Sequence, residues 1–283
     1  MFTKDTLTGK NILVTGGGSG LGKAMALKFA ELGANVAICG RSQDKLDKTA
    51  EELKAFGNKV ATYSVDVRDY EAVGEMFDKL SEELGEINGL VNNAAGNFLS
   101  ASEDLSPNAF NSVVGIVLNG TFNCTQQFGK RLIDAGSPGS VINIVTTYTE
   151  TGSAFVLPSA CAKAGVLAMT NSLAYEWGEY NIRLNSIAPG PFPTKGAWSR
   201  LMPDPKVEER YKALIPLKRY GEHVELANLA AFLMSDLSAY MTGENVVIDG
   251  GERLKSGQFN FITQAAPRSQ LKKMFQMMKP GGK

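Results

Sequence analysis

The chain has 283 residues, 43% of them hydrophobic, and 29 basic side chains balance 29 acidic ones. That length is enough for one large α/β domain with a full core and requires no second one, while the zero net charge excludes the basic excess that draws a protein to nucleic acid or an anionic membrane surface. The single histidine, His223, argues against a His base or a His-rich metal site, and three scattered cysteines (Cys39, Cys124, Cys161) fit neither a zinc spacing nor a disulfide framework.

No apolar run reaches the roughly 18 residues of a membrane span. The N-terminal MFTKDTLTGK has neither an apolar signal core nor an Arg-rich transit pattern, and the final GGK is not a peroxisomal address. A cytoplasmic, reducing location is therefore expected.

Residues 11–15 (NILVT) form a short apolar strand that runs into Gly16, Gly17, Gly18, Ser19, Gly20, Leu21 and Gly22, then a helix to about residue 32. A glycine-rich turn between strand and helix brings backbone close to a pyrophosphate and aims helix N–H groups at it, although a glycine cluster alone is also just a tight turn. The second strand, 35–39, is followed by Gly40 and Arg41. An acid at this place binds ribose hydroxyls and repels a 2′-phosphate; Arg41 instead pairs with one through charge-assisted bonds, which points to NADP(H). The plainer reading of Arg41 is a solvated surface arginine.

An amphipathic helix over 45–56 leads to a third strand over 59–65 and then to Asp66-Val67-Arg68. Asp66 also suits the positive end of the next helix, 69–84. The fourth strand, 87–91, precedes Asn92-Asn93-Ala94-Ala95-Gly96-Asn97-Phe98, which places Asn97 just past a strand's carboxyl end, where open α/β sheets bind ligands. Ser106 precedes one long helix expected over 107–131, which contains Asn119. A buried strand over 141–145 ends in Thr146, a polar loop carries Tyr148, and a helix runs over 158–178. That helix has more than one apolar stripe, so cover on more than one side is expected, most economically by another copy as a homodimer or homotetramer.

The sixth strand, 182–187, leads through Pro189-Gly190-Pro191-Phe192-Pro193 into a loop with short helices over 198–220, then a helix at 224–235, a strand at 245–248 and a polar tail, 253–283, that is either a docked helix or a frayed end. Alternating strands and helices imply a doubly wound, mainly parallel sheet, a single-domain Rossmann fold. Its catalytic body spans 1–252, with 253–283 as an extension of the same domain.

These motifs, in this order, resemble the short-chain dehydrogenase/reductase family over roughly residues 8–251. The Thr15-Gly16-x-x-x-Gly20-x-Gly22 spacing resembles that family's version of the dinucleotide turn. The resemblance implies that Asp66 and Val67 meet the adenine, that Asn93 borders the cofactor, that Pro189, Gly190 and Phe192 flank the nicotinamide, that Asn119 holds a water on the proton path to a lysine, and that a Ser or Thr (here Thr146) precedes a Tyr-x-x-x-Lys pair on the helix. Lys163 matches the lysine. The tyrosine position holds Ser159, on the same helical face as Lys163. A serine hydroxyl stops short of a tyrosine's reach by about 4 Å, and it is a far weaker acid than a phenol of pKa about 10. Tyr148, two residues past Thr146, is the candidate replacement.

A narrower resemblance, to the NADPH-dependent 2,4-dienoyl-CoA reductases, rests on residues 92–98 (NNAAGNF), 146–153 (TTYTETGS), 158–165 (PSACAKAG) and 189–201 (PGPFPTKGAWSRL), with SGQFN at 256–260. It implies that Tyr148 acts from the upstream loop with Asn97 assisting, and that Arg68, Phe98, Ser106 and Arg200 contact an acyl-CoA thioester. The implied reaction is NADPH-dependent reduction of a 2,4-dienoyl-CoA to a 3-enoyl-CoA, as in β-oxidation of unsaturated fatty acids, with no metal. Reduction of a trans-2-enoyl-CoA or a 3-oxoacyl thioester on the same fold remains open, as does a non-catalytic NADP-binding protein. The missing tyrosine at 159 counts against ordinary carbonyl reduction.

Overall fold

The structure, a computed structural model, describes residues 2–194, 198 and 204–278. Seven strands form one parallel sheet in the order β3-β2-β1-β4-β5-β6-β7. They are β1 (Asn11–Thr15), β2 (Asn35–Gly40), β3 (Val60–Ser64), β4 (Gly89–Asn92), β5 (Gly139–Ile144), β6 (Ile182–Pro189) and β7 (Asn245–Ile248). A parallel sheet is covered on both faces, so its strands read as continuous apolar runs. Alternate residues still part to opposite sides: Ile12, Val14, Val36 and Ile38 join one core, whereas Leu13, Ala37 and Cys39 join the other.

The first core is closed by α1 (Gly20–Glu31) and the second by α3 (Tyr70–Leu84) and α5 (Gly120–Ala135). The remaining helices with direct bearing on the site are α2 (Gln43–Lys54), α4 (Pro107–Val114), the four-residue α6 (Tyr148–Thr151) and α7 (Leu157–Glu176). Beyond β6 come α8 (Pro205–Leu214), α9 (His223–Met234), α10 (Ile262–Ala265) and α11 (Arg268–Met277). α9 packs on the first core and opens with a reciprocal capping box between Glu222 and Glu225.

Two expectations need correction, and one open alternative is resolved. The helix over 107–131 is interrupted: α4 gives way to a π-helical turn, Gly115–Asn119, before α5 begins. The extra residue per turn shifts the helical phase, so Val117 is fully buried while Asn119 is exposed. Tyr148 does not lie in a loop but opens α6. The tail carries α11, which buries Leu271 alone of its residues.

A chain of buried polar side chains crosses the sheet beneath these loops. Asn92 Nδ2 donates to Thr125 Oγ1 and to Asn143 Oδ1, both at 2.8 Å, and Asn143 Nδ2 donates to Thr170 Oγ1 at 2.8 Å. It stitches α5, β4, β5 and α7 together at the level where β4 and β5 end.

Candidate active site

The strand order reverses between β1 and β4, and at such a switch point the loops that leave the two strands diverge and open a crevice. Thr15 and Asn93 lock its floor. Thr15 Oγ1 accepts from the backbone N–H of Asn93 and of Ala94, and Asn93 Nδ2 donates back to the Thr15 carbonyl, all at 2.9 Å. Asn93 fits there only because two glycines stand aside. Gly16 has φ +66°, and a β-carbon on Gly22 would lie 2.5 Å from the Asn93 amide nitrogen. The result is a cleft of about 210 Å³ lined by Gly16, Gly18, Ser19, Arg41, Asp66 and Val67, with Ala94, Ala95 and Ile116 on its far side. Gly20 and Leu21 form the first turn of α1 behind it.

The cleft fits a dinucleotide: bare glycine backbone and a helix N-terminus face the place of the pyrophosphate, and Arg41 stands where a ribose-binding acid would exclude a 2′-phosphate. Lys45, which also lines it, escaped the sequence reading. The signal was a second cation one helical turn past Arg41.

Asp66 and Arg68 meet each other. Arg68 Nε donates to both carboxylate oxygens at 3.0 Å and Nη2 to one at 2.6 Å. The guanidinium holds the Asp66 carboxyl below the usual carboxylate range. The helix-capping acid is Asp69, which accepts from Ala72 N.

Past the end of β5 come Thr146 and, opening α6, Tyr148, while α7 carries Ser159 and Lys163. Thr146, Ser159 and Lys163 are buried, and Tyr148 is half-buried. The Tyr148 and Ser159 hydroxyl oxygens lie 3.0 Å apart. The serine at the motif position therefore holds the displaced phenol. Lys163 Nζ donates to the Ile144 carbonyl at the end of β5. Burial pushes its ammonium down to about 8.

Asn97 turns its Oδ1 to the backbone N–H of Phe98 at 2.9 Å, which leaves its amide N–H groups available to a ligand. Pro189 ends β6, and Gly190 N donates to Ile248 O at 2.9 Å. Phe192 is buried against Gly221, where a β-carbon would overlap its ring, and His223 Nε2 lies 2.8 Å from the Pro193 carbonyl oxygen.

Asn119 is exposed at the end of the π turn. The Ser106 hydroxyl caps α4, accepting from Ala109 N at 3.2 Å ahead of Pro107. Phe98 packs on the small core formed by Val113, Val117, Val145, Ala162, Val166 and Ala188. Arg200 lies outside the described residues.

Comparison with known proteins agrees with this architecture. A family model described as Enoyl-(Acyl carrier protein) reductase matches residues 16–252. The chain belongs to the short-chain dehydrogenase/reductase family and is an oxidoreductase built around a nicotinamide cofactor. Within that family it is similar to the 2,4-dienoyl-CoA reductases. It is 47% identical over 251 residues to a probable 2,4-dienoyl-CoA reductase 3 [(3E)-enoyl-CoA-producing] of Caenorhabditis elegans, covering 87% of this chain and 81% of the relative. It is 43% identical to a probable 2,4-dienoyl-CoA reductase [(2E)-enoyl-CoA-producing] of Bacillus subtilis, covering 88% and 99% of the two. The crystal structure of a short chain dehydrogenase from Bacillus anthracis superposes with a TM-score of 0.79 at 45% identity, over 86% of this chain and 96% of that one.

Proposed function

We propose that this protein reduces 2,4-dienoyl-CoA thioesters with NADPH, yielding the 3-enoyl-CoA. The observation that carries the reading is the Tyr148–Ser159 pair: the phenol that meets the serine at the motif position stands on α6, past the end of β5, and not on α7. A phenol on the helix serves a carbonyl carbon that itself takes the hydride. A displaced one suits a substrate whose reacting carbon and charge-bearing oxygen are separated by a conjugated chain.

When bound, NADPH supplies hydride to C5 of the diene. The chain's own groups do the rest. Arg41 and Lys45 take the 2′-phosphate, and Gly16, Ser19 and Gly20 approach the pyrophosphate. Lys163 holds the nicotinamide ribose, and its positive charge favours ionisation of nearby hydroxyls. Tyr148 and Asn97 donate to the thioester oxygen, where charge collects as the dienolate forms; donors fixed in advance at that oxygen lower the barrier most. Tyr148, or a water it orients, then returns a proton to C2. Ser159 keeps the phenol in register. Phe98, and Arg68 once it shares itself between Asp66 and a phosphate, border the acyl-CoA.

The same reading has the outer face of α7 covered by a second copy. Cys161, Ala164, Ala168 and Tyr175 (94% exposed) line that face, far more apolar and small-residue surface than a solvated helix needs. Among the described residues no helix is long and apolar enough to cross a membrane.

The test is NADPH consumption by the purified protein with 2,4-hexadienoyl-CoA, 2-hexenoyl-CoA and a 3-oxoacyl-CoA in parallel, with the product double bond located by NMR. Turnover of the dienoyl substrate alone, with a 3-enoyl product, supports the proposal. Preference for the 3-oxoacyl substrate, or a 2-enoyl product, overturns it in whole or in its protonation step.

A further inference from the structure

The loop between α6 and α7 contains a residue that neither the fold nor the chemistry above accounts for. Phe155 has φ +65°, in the left-handed region that aromatic residues almost never occupy. Phe155 is 59% exposed, so it adds little to any core. Glycine adopts that backbone without strain, and the same loop does use one, Gly152 at φ +68°. A side chain kept at a conformational cost and turned to solvent marks a functional contact more often than a packing one.

Its position says which contact. Phe155 lies four residues before Ser159 and seven after Tyr148. Its carbonyl accepts from the backbone N–H of Ser100 at 3.0 Å, so this loop is tied to the segment that follows Asn97 and Phe98. The two joined segments bring further exposed aliphatic side chains, Leu99 (50% exposed) and Leu157 (41% exposed). An apolar rim therefore borders the proposed thioester-oxygen donors Tyr148 and Asn97 on both sides of one backbone hydrogen bond.

We infer that Phe155, with Leu99 and Leu157, forms the subsite for the fatty acyl chain beyond the diene and sets the chain-length preference of the enzyme. The inference rests on the dienoyl-CoA reading. The occupant follows from continuity with the catalytic pair: a substrate with its thioester oxygen at Tyr148 and Asn97 must send its remaining carbons somewhere adjacent, and burying them is favourable by up to about fourfold in kcat/KM per methylene at full contact. Phe155 makes no proton or hydride transfer; it is a specificity residue.

The experiment measures kcat/KM of the full-length protein for 2,4-hexadienoyl-CoA and 2,4-decadienoyl-CoA, with NADPH affinity and elution volume measured alongside. The wild type is expected to prefer the ten-carbon substrate. Phe155→Ala is expected to lose about tenfold on that substrate and less than twofold on the six-carbon one, with NADPH affinity and elution volume unchanged. Phe155→Gly, which relieves the backbone, is expected to melt no lower than wild type yet show the same loss, which separates the subsite from a folding defect. Equal kcat/KM ratios in wild type and variants overturn the inference while leaving the dienoyl reading standing. So does a changed elution volume, which assigns the ring to an interface between copies. A wild type with no dienoyl turnover overturns both.

Discussion

The Tyr148 hydroxyl sits 3.0 Å from the Ser159 hydroxyl, across the packed helices α6 and α7. The phenol and Lys163 are thus carried by separate helices, and Ser159, on the helix of the lysine, meets the phenol. Tyr148→Phe is expected to lower kcat at least tenfold with little change in NADPH affinity, because the proposal has the phenol oxygen acting on substrate and not on cofactor. Ser159→Ala removes only the bridge, so its loss is expected to be smaller. Stopped-flow turnover and fluorescence titration with NADPH read the two effects separately. Unchanged turnover in Tyr148→Phe would remove the phenol from the mechanism.

Lys163 carries the clearest pH signature. Its ordinary value of 10.5 is lowered to about 8 by burial. In the proposed role the ammonium holds the nicotinamide ribose; it is present below that point and is lost as pH rises through it, so NADPH affinity is expected to weaken above about pH 8. The linkage to stability has the opposite sense. Between about 8 and 10.5 the unfolded chain binds the proton that the folded chain has released, so this group's contribution to stability grows with pH across that window and disappears as pH falls through 8. Lys163→Met is expected to flatten both profiles; NADPH titrations and urea midpoints from pH 7 to 10 check them.

Arg41 and Lys45 are expected to determine cofactor choice. Arg41→Asp places an acid where a 2′-phosphate would sit, and is expected to raise KM for NADPH at least tenfold with little effect on NADH. Equal losses for the two cofactors would reduce Arg41 to a surface charge. Steady-state kinetics with each nucleotide decides between them.

Asn143 is a structural prediction. It accepts from Asn92 and donates to Thr170 at zero exposure, so Asn143→Ala removes two buried hydrogen bonds while Asn92 keeps Thr125 and Thr170 keeps the Val166 carbonyl, and is expected to cost about 1–3 kcal/mol. By contrast, the Asp66–Arg68 pair is partly exposed, at 29% and 48%, and Arg68→Ala is expected to cost less than about 1 kcal/mol. Urea denaturation of both variants measures the contrast.

The strands were legible because buried parallel strands must be apolar along their whole length; β1 and β7 fall at the limits read from the sequence alone. So did the glycine turn and the absence of a tyrosine at 159. What escaped were features fixed by contacts between distant segments. The π turn at Gly115–Asn119 leaves a helical sequence pattern nearly intact, yet it turns Asn119 outward. The Asp66–Arg68 pairing has no periodicity to show. α8 is one of the short helices expected over 198–220, but nothing local announces how Glu208 on it accepts from Trp198 at 3.0 Å while its backbone carbonyl accepts from Tyr220 at 2.9 Å. The strained backbone at Phe155 is likewise invisible in one dimension, since the residue type argues against it.

The short helix that carries Tyr148 is also where the tail reaches the catalytic end of the sheet. Glu150, two residues on, meets Arg253 at 3.3 Å and Asn245 at 3.5 Å. Tyr148 therefore stands on a small bracket with one end bolted to β5 and the other leaning on the start of β7 and the chain after it, whereas Lys163 is set in the body of the molecule. On the proposed reading, alterations to the C-terminal region are expected to disturb the phenol through that bracket more than the lysine, so the two halves of the proposed machinery would be separately adjustable.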